Sequence, residues 1–184
     1  MADVKNDLRE KIKGNIAYLK EELNTVRAGR ANPLLLDKVL VEYYGTPTPL
    51  KNMANVSIPD PRTLVITPFD PKAIVDIEKA INISDLGMPP SNDGKVVRLT
   101  VPEITEERRK ELTKVVRKMG EDTKVAVRNE RRDANDFIKK MEKNGEISEN
   151  EMRSEAEEIQ KITDEAMKDI DGIIKEKETE ILEV

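Results

Sequence analysis

The chain has no cysteine, no histidine and no tryptophan. Without cysteine there is no disulfide framework and no thiolate to attack a substrate or hold a metal. Without histidine the commonest general base and the commonest transition-metal ligand are both missing. Aromatic residues make up only 3% of the 184 residues, against 38% charged. That balance is too polar for one large globular core and suits long helices that each bury a single stripe. No apolar run approaches the roughly 18 residues of a membrane span. The N-terminus holds Asp3, Asp7 and Glu10 and no apolar stretch, so neither a signal nor a transit peptide is expected. These absences point to a reducing, cytoplasmic setting with no membrane partner.

What is present is charge, unevenly spread. The net charge of −5 conceals +4 over residues 105–132 and −9 over residues 142–184. A global pI argues against a nucleic-acid partner, but a local patch sets the near field once salt screens beyond about 8–10 Å. The basic part centres on Val125–Asp136, with Arg128, Arg131 and Arg132 inside a segment of helical periodicity. At about 100° per residue, Lys110, Lys114, Arg117, Lys124, Arg128, Arg131 and Arg132 fall in a sector roughly 100° wide. Leu112, Val115, Val116, Met119, Ala126, Phe137 and Met141 cluster on the other side. On this wheel Arg131 stands about 110–120° from the centre of the packing stripe. A solvated helix face is the ordinary meaning of such a run. Here arginine outnumbers lysine in the tight cluster, and its planar, permanently charged fork suits phosphate.

Three segments read as helices. From Asp3 to Arg27, the residues Leu8, Ile12, Ile16, Leu19, Leu23 and Val26 recur at helical spacing. Gly14 weakens this helix, and Gly29 is its expected stop. Thr105 is a candidate N-cap for a helix running to about Lys143, which Asn144-Gly145 ends. Ser148 and Glu151 have capping-box spacing. Beyond them Met152, Ala156, Ile159, Thr163, Ala166, Ile170 and Ile173 repeat like a coiled-coil seam. Glu130 and Asp133 fall towards the packing side of the second long helix and are expected at a seam edge or against a cation.

Between the first two helices the character changes. Nine of the ten prolines lie from Pro33 to Pro90. Val39–Tyr43, Val56–Ile58, Thr63–Thr67 and Lys95–Val101 read as strands, and Pro71–Ile81 as a helix with Ile74, Ile77 and Ile81 on one face. The segments 45–49, 59–61 and 89–94 read as turns. The expected fold is α+β: a three-helix bundle from residues 1–30 and 104–184, with a small β/α/β domain inserted over residues 31–103. The chain passes between the two parts twice, so Gly29, Ala31, Pro33, Pro102 and Thr105 are expected to form a hinge.

Carboxylates are plentiful, yet no phosphate loop, GxSxG, HExxH or EF-hand pattern occurs, and an enzyme is not expected. A helical adaptor that grips proteins is a rival, distinguished by weak salt dependence of its binding. Tyr43, Tyr44 and Phe69 are read as core or loop anchors rather than base-stacking platforms.

The strings Arg27-Ala28-Gly29-Arg30-Ala31, Val41 through Leu50, Ile104 through Lys110, and Val125 through Asp136 closely resemble the ribosome recycling factor family of bacteria, and the resemblance runs the whole length. It implies an L-shaped molecule about the size of a transfer RNA, with a three-helix domain I and a hinged domain II. It implies a monomeric translation factor without cofactor, catalytic residues, metal or small-molecule substrate. Such a factor binds the post-termination ribosome and, with elongation factor G and GTP, splits it into subunits. The resemblance makes Arg131 critical for contact with large-subunit ribosomal RNA, with Arg27, Arg30, Arg128 and Arg132 beside it. Lys124 and Arg117 join these from the basic face.

Overall fold

The computed structural model describes residues 3–26 and 29–183. The chain divides into two compact units, residues 1–26 with 107–184, and residues 27–106.

The first unit is a three-helix bundle of α1 (Val4–Asn24), α3 (Glu106–Lys143) and α4 (Glu149–Leu182). Asp3 caps α1, its carboxylate accepting from the Asn6 N–H at 3.1 Å. Leu8, Ile12, Leu19 and Leu23 are buried and Ile16 is half-buried, as the spacing requires. The helix ends earlier than Gly29: Thr25 turns its N–H and hydroxyl back onto the Glu22 carbonyl. At α4, Ser148 and Glu151 form the reciprocal capping box. Ile159, Thr163, Ala166 and Ile170 are buried, with Met152, Ala156 and Ile173 half-buried.

The stripe that α3 buries differs from the sequence expectation. Leu112, Thr113, Val116, Gly120, Thr123, Val127, Ala134 and Ile138 are buried, whereas Val115 and Phe137 are 43% and 44% exposed. The reason is size. Half of these positions hold small residues, which a search for large apolar side chains passes over but which leave room for a large side chain of a neighbouring helix. A Cβ on Gly120 would stand 2.7 Å from Ile174 Cγ1 on α4. The threonine hydroxyls are satisfied within their own helices, bonding the carbonyls of Arg109, Met119 and Ile159 one turn back.

The second unit contains β1 (Leu40–Tyr43), β2 (Thr46–Pro49), β3 (Ala54–Asp60), β4 (Thr63–Pro68), α2 (Ile74–Ile83), β5 (Pro90–Asn92) and β6 (Val97–Thr100). An antiparallel sheet has the order β3-β4-β6-β5, and β1 and β2 form a separate hairpin. Leu64 and Ile66 of β4 and Val97 and Leu99 of β6 alternate inward and meet Ile77 and Ile81 of α2 in one core. Strands β2 and β5 were expected as turns because of their prolines. In the hairpin Tyr44 and Gly45 both take positive φ, 48° and 76°, the two-residue turn whose twist matches a hairpin. That turn makes Tyr43 and Thr46 a hydrogen-bonded pair. Pro47 opposite Glu42 and Pro49 opposite Leu40 then fall at positions whose N–H points away from the partner strand, so neither ring removes a ladder bond.

Of the expected hinge residues, Gly29 has φ 74° and a Cβ there would lie 3.1 Å from Ile104. The Ala31 N–H donates to the Pro61 carbonyl at 2.7 Å, and the Val101 N–H to the Arg62 carbonyl at 2.7 Å. Pro33 opens a short 3-10 turn that Asn32 caps. The Arg62 guanidinium adds bonds to the Val101 carbonyl and to Glu103. Residues 31 and 101 are thus tied to the turn between β3 and β4.

Candidate nucleic-acid interface

The cations of α3 spread from the flank of its buried stripe round to the side opposite it. Measured from the centre of the buried positions at about 100° per residue, Arg131 lies at roughly 45°, Lys124 at roughly 65° and Arg117 at roughly 90°. Arg128 and Lys110 lie at about 110°, and Arg132 and Lys114 at about 150°. The expected angle for Arg131 was more than twice the observed one because the small seam residues rotate the true stripe towards it.

This rotation separates the basic face into two rows. The inner row meets α4. Lys124 Nζ stands 2.6 Å from Asp171 and 3.3 Å from Glu121, with only 17% of its side chain exposed. Asp171 beside it raises the Lys124 pKa, against a smaller opposing effect of burial. Arg117 pairs with Glu178, which also raises its pKa. Arg131 is half-buried and donates from Nη1 to Gln160 Oε1 at 3.3 Å. The outer row looks outward: Arg128, Arg132 and Lys114 are exposed and have no ion pair among the described residues. Arg117 and Lys124 each have a carboxylate partner on α4. Arg128, Arg131 and Arg132 have no ion pair among the described residues. Arg30 is half-buried, and Arg27 lies outside the described residues. Gln160 was not foreseen; only the register between α3 and α4 brings it to Arg131.

Glu130 faces α1 and pairs with Lys11 at 3.5 Å, the seam-edge cation expected for it. Asp7 and Glu130 together raise the Lys11 pKa, Asp7 the more. Asp133 and Phe137 line a groove of about 480 Å³ with Asp3, Asp7 and Leu8 of the α1 region. Among the described residues no cluster of potential metal ligands occurs and no helix is long and apolar enough to cross a membrane.

Chemically, Arg128, Arg131 and Arg132 present planar donor forks along one helix. Such an array binds phosphate oxygens. Residues 142–184, which include α4, carry a net charge of −9, of the same sign as a phosphate.

The family model described as ribosome recycling factor matches residues 19–182. A ribosome-recycling factor of Bacillus licheniformis is 59% identical over 181 residues, covering 98% of both chains. That of Bacillus subtilis strain 168 is 57% identical over 182 residues, covering 99% of this chain and 98% of its own. Among solved structures, a solution structure of a ribosome recycling factor superposes with a TM-score of 0.81 at 37% identity, covering 99% of this chain and 97% of that one. Another neighbour has a TM-score of 0.67 at 45% identity, covering 98% of this chain and 97% of its own. It comes from models of the T. thermophilus ribosome recycling factor and the E. coli elongation factor G bound to the E. coli post-termination complex.

Proposed function

The chain belongs to the ribosome recycling factor family, and from that premise we propose that it binds the post-termination ribosome and, with elongation factor G and GTP, promotes its disassembly for recycling. The bundle docks on phosphates of large-subunit ribosomal RNA through Arg128, Arg131 and Arg132, with Lys114 in the same outer row. The protein acts by binding, as a cytoplasmic monomer, and the partner's GTPase cycle supplies the work. One observation carries the docking surface: on a helix whose Arg117 and Lys124 pair with α4, the arginines at 128 and 132 stand exposed and have no ion pair among the described residues. A cation already neutralised by a carboxylate gains little from a phosphate. An unpaired one releases counterions from the nucleic acid.

The test has two stages. In binding to purified large ribosomal subunits, Arg131→Ala and Arg132→Ala should each cost on the order of 1–3 kcal/mol, tenfold or more in affinity. Each should flatten the log–log salt slope by somewhat under one unit. Arg132→Ala should leave folding stability within about 0.5 kcal/mol, as an exposed and unpaired side chain. Arg131→Ala removes the Gln160 hydrogen bond as well and should cost up to about 1 kcal/mol of stability. Lys161→Ala, on the acidic helix, serves as control and should bind as the parent does. Equal losses at Lys161 and Arg132 would refute the assigned face. The second stage asks whether the pure protein, with elongation factor G and GTP, converts post-termination ribosomes into free subunits. Binding without splitting refutes the functional proposal.

A further inference from the structure

Arg117, Lys124 and Arg131 follow one another at intervals of seven residues along α3. In an antiparallel helix pair, a heptad step along one helix is answered by a heptad step back along the other. Arg117 meets Glu178 and Lys124 meets Asp171, seven residues earlier on α4. The same step places Asp164 opposite Arg131. The first two pairs close as ion pairs and the third does not. Gln160, one turn before Asp164, intervenes. Its Nε2 donates to Asp164 Oδ1 at 2.8 Å, and its Oε1 accepts from Arg131 Nη1 at 3.3 Å. Chemistry fixes this orientation of the amide, because a guanidinium only donates and a carboxylate only accepts.

We propose that Gln160 is a positioning residue that occupies Asp164 and gives Arg131 a neutral acceptor, so that the guanidinium is oriented on the flank of α3 while its charge stays available to a phosphate. The inference rests on the reading of Arg131 as a phosphate contact. A carboxylate at the same place would orient the fork equally well. It would also answer its charge and put a negative group within a Debye length of the incoming phosphate. Arg117 and Lys124 each have a carboxylate partner on α4, whereas the partner of Arg131 is a neutral amide, and Arg131 adjoins Arg128 and Arg132, which have no ion pair among the described residues.

The experiment is equilibrium binding of the full-length chain to purified large ribosomal subunits, with thermal unfolding of each variant followed in parallel. Gln160→Glu keeps the shape and places a carboxylate on Arg131. Affinity should fall about tenfold, the loss expected of Arg131→Ala, while the variant stays cooperatively folded with a slightly lowered melting temperature, because its second carboxylate oxygen replaces the N–H that Asp164 accepts from. Lys161→Gln changes the net charge by the same amount on the same helix and should be nearly silent. Added to Arg131→Ala, Gln160→Glu should weaken binding no further than Lys161→Gln does. Gln160→Leu releases Asp164 and should lose several-fold in affinity, and Asp164→Asn in that background should restore it. If Arg131→Ala weakens binding but Gln160→Glu behaves like Lys161→Gln, the positioning role is refuted and the phosphate contact stands. Additive losses in the double variant would show that Gln160 acts apart from Arg131 and overturn the proposal. If Arg131→Ala itself binds like the parent, the reading beneath fails and takes this inference with it.

Discussion

Gly120 and Gly172 should respond oppositely to the same substitution. Both lie inside long helices, α3 and α4. Alanine is favoured over glycine in a helix interior by about 1 kcal/mol, so each Gly→Ala change starts with that gain. At Gly172 a Cβ meets nothing within 4 Å, and the gain should appear whole. At Gly120 the Cβ would lie 2.7 Å from Cγ1 and 3.0 Å from Cδ1 of Ile174. Cγ1 is bonded directly to Cβ, so relief requires turning χ1 of a β-branched residue, which is stiff in a helix, or separating the helices. Overpacking of this kind costs about 1–3 kcal/mol. Gly120→Ala should therefore be neutral to about 2 kcal/mol destabilising, and should lie roughly 1–3 kcal/mol below Gly172→Ala. The assay is urea unfolding followed by far-ultraviolet circular dichroism. The signal reports the bundle, since its helices hold 21, 38 and 34 residues against 10 in α2. With m near 1–3 kcal/mol per molar, a difference of about 2 kcal/mol separates the midpoints by roughly 0.7–2 M. Ile174→Ala in the Gly120→Ala background should recover part of the loss, a coupling of favourable sign between contacting sites. Gly120→Ala as stabilising as Gly172→Ala would refute the close-approach argument, and the account of the rotated stripe with it.

Tyr43 should ionise late. Its hydroxyl donates to Asp70 at 2.9 Å, and that bond to a carboxylate, aided by burial, pushes its pKa up to about 12. The neutral phenol is the bonded form, so its contribution to stability is complete below its unfolded pKa of about 10 and is lost as pH rises through about 12. Ultraviolet absorbance titration should show a final phase there that Tyr43→Phe deletes; a phase surviving in Tyr43→Phe contradicts the assignment. At the start of α4, Ser148→Ala should cost about 1 kcal/mol of bundle stability, measured by urea unfolding. The Glu151 carboxyl is held below its usual pKa by the Ser148 backbone N–H. A depressed carboxyl contributes stability above its unfolded pKa and loses it as pH falls through the folded one. The deficit of Glu151→Gln should thus be full near neutral pH and shrink on acidification; a deficit constant with pH would contradict it.

Much of this protein is written in short stretches of its sequence. The spacing of Leu8, Ile12, Leu19 and Leu23, the Ser148–Glu151 box and the Ile74, Ile77, Ile81 face each depend on residues within a turn or two of one another. Periodicity and capping report such short-range physics directly. The concentration of arginine at 128, 131 and 132 is equally plain from the chain alone. Three things came only with the tertiary structure. Pro47 and Pro49 belong to a strand because the positive φ of Tyr44 and Gly45 sets a register in which their missing N–H groups face outward. The buried side of α3 runs through Thr113, Gly120 and Thr123, small or polar positions such as Gly120, where the Ile174 side chain of α4 fills the space, and a helical wheel weighted by hydrophobicity cannot register them. The fate of each cation depends on what the facing helix brings to it. Lys124 receives Asp171 and Arg131 receives Gln160, from residues 47 and 29 positions away in the chain. Charge is a property of the residue, but whether that charge is answered is a property of the packing.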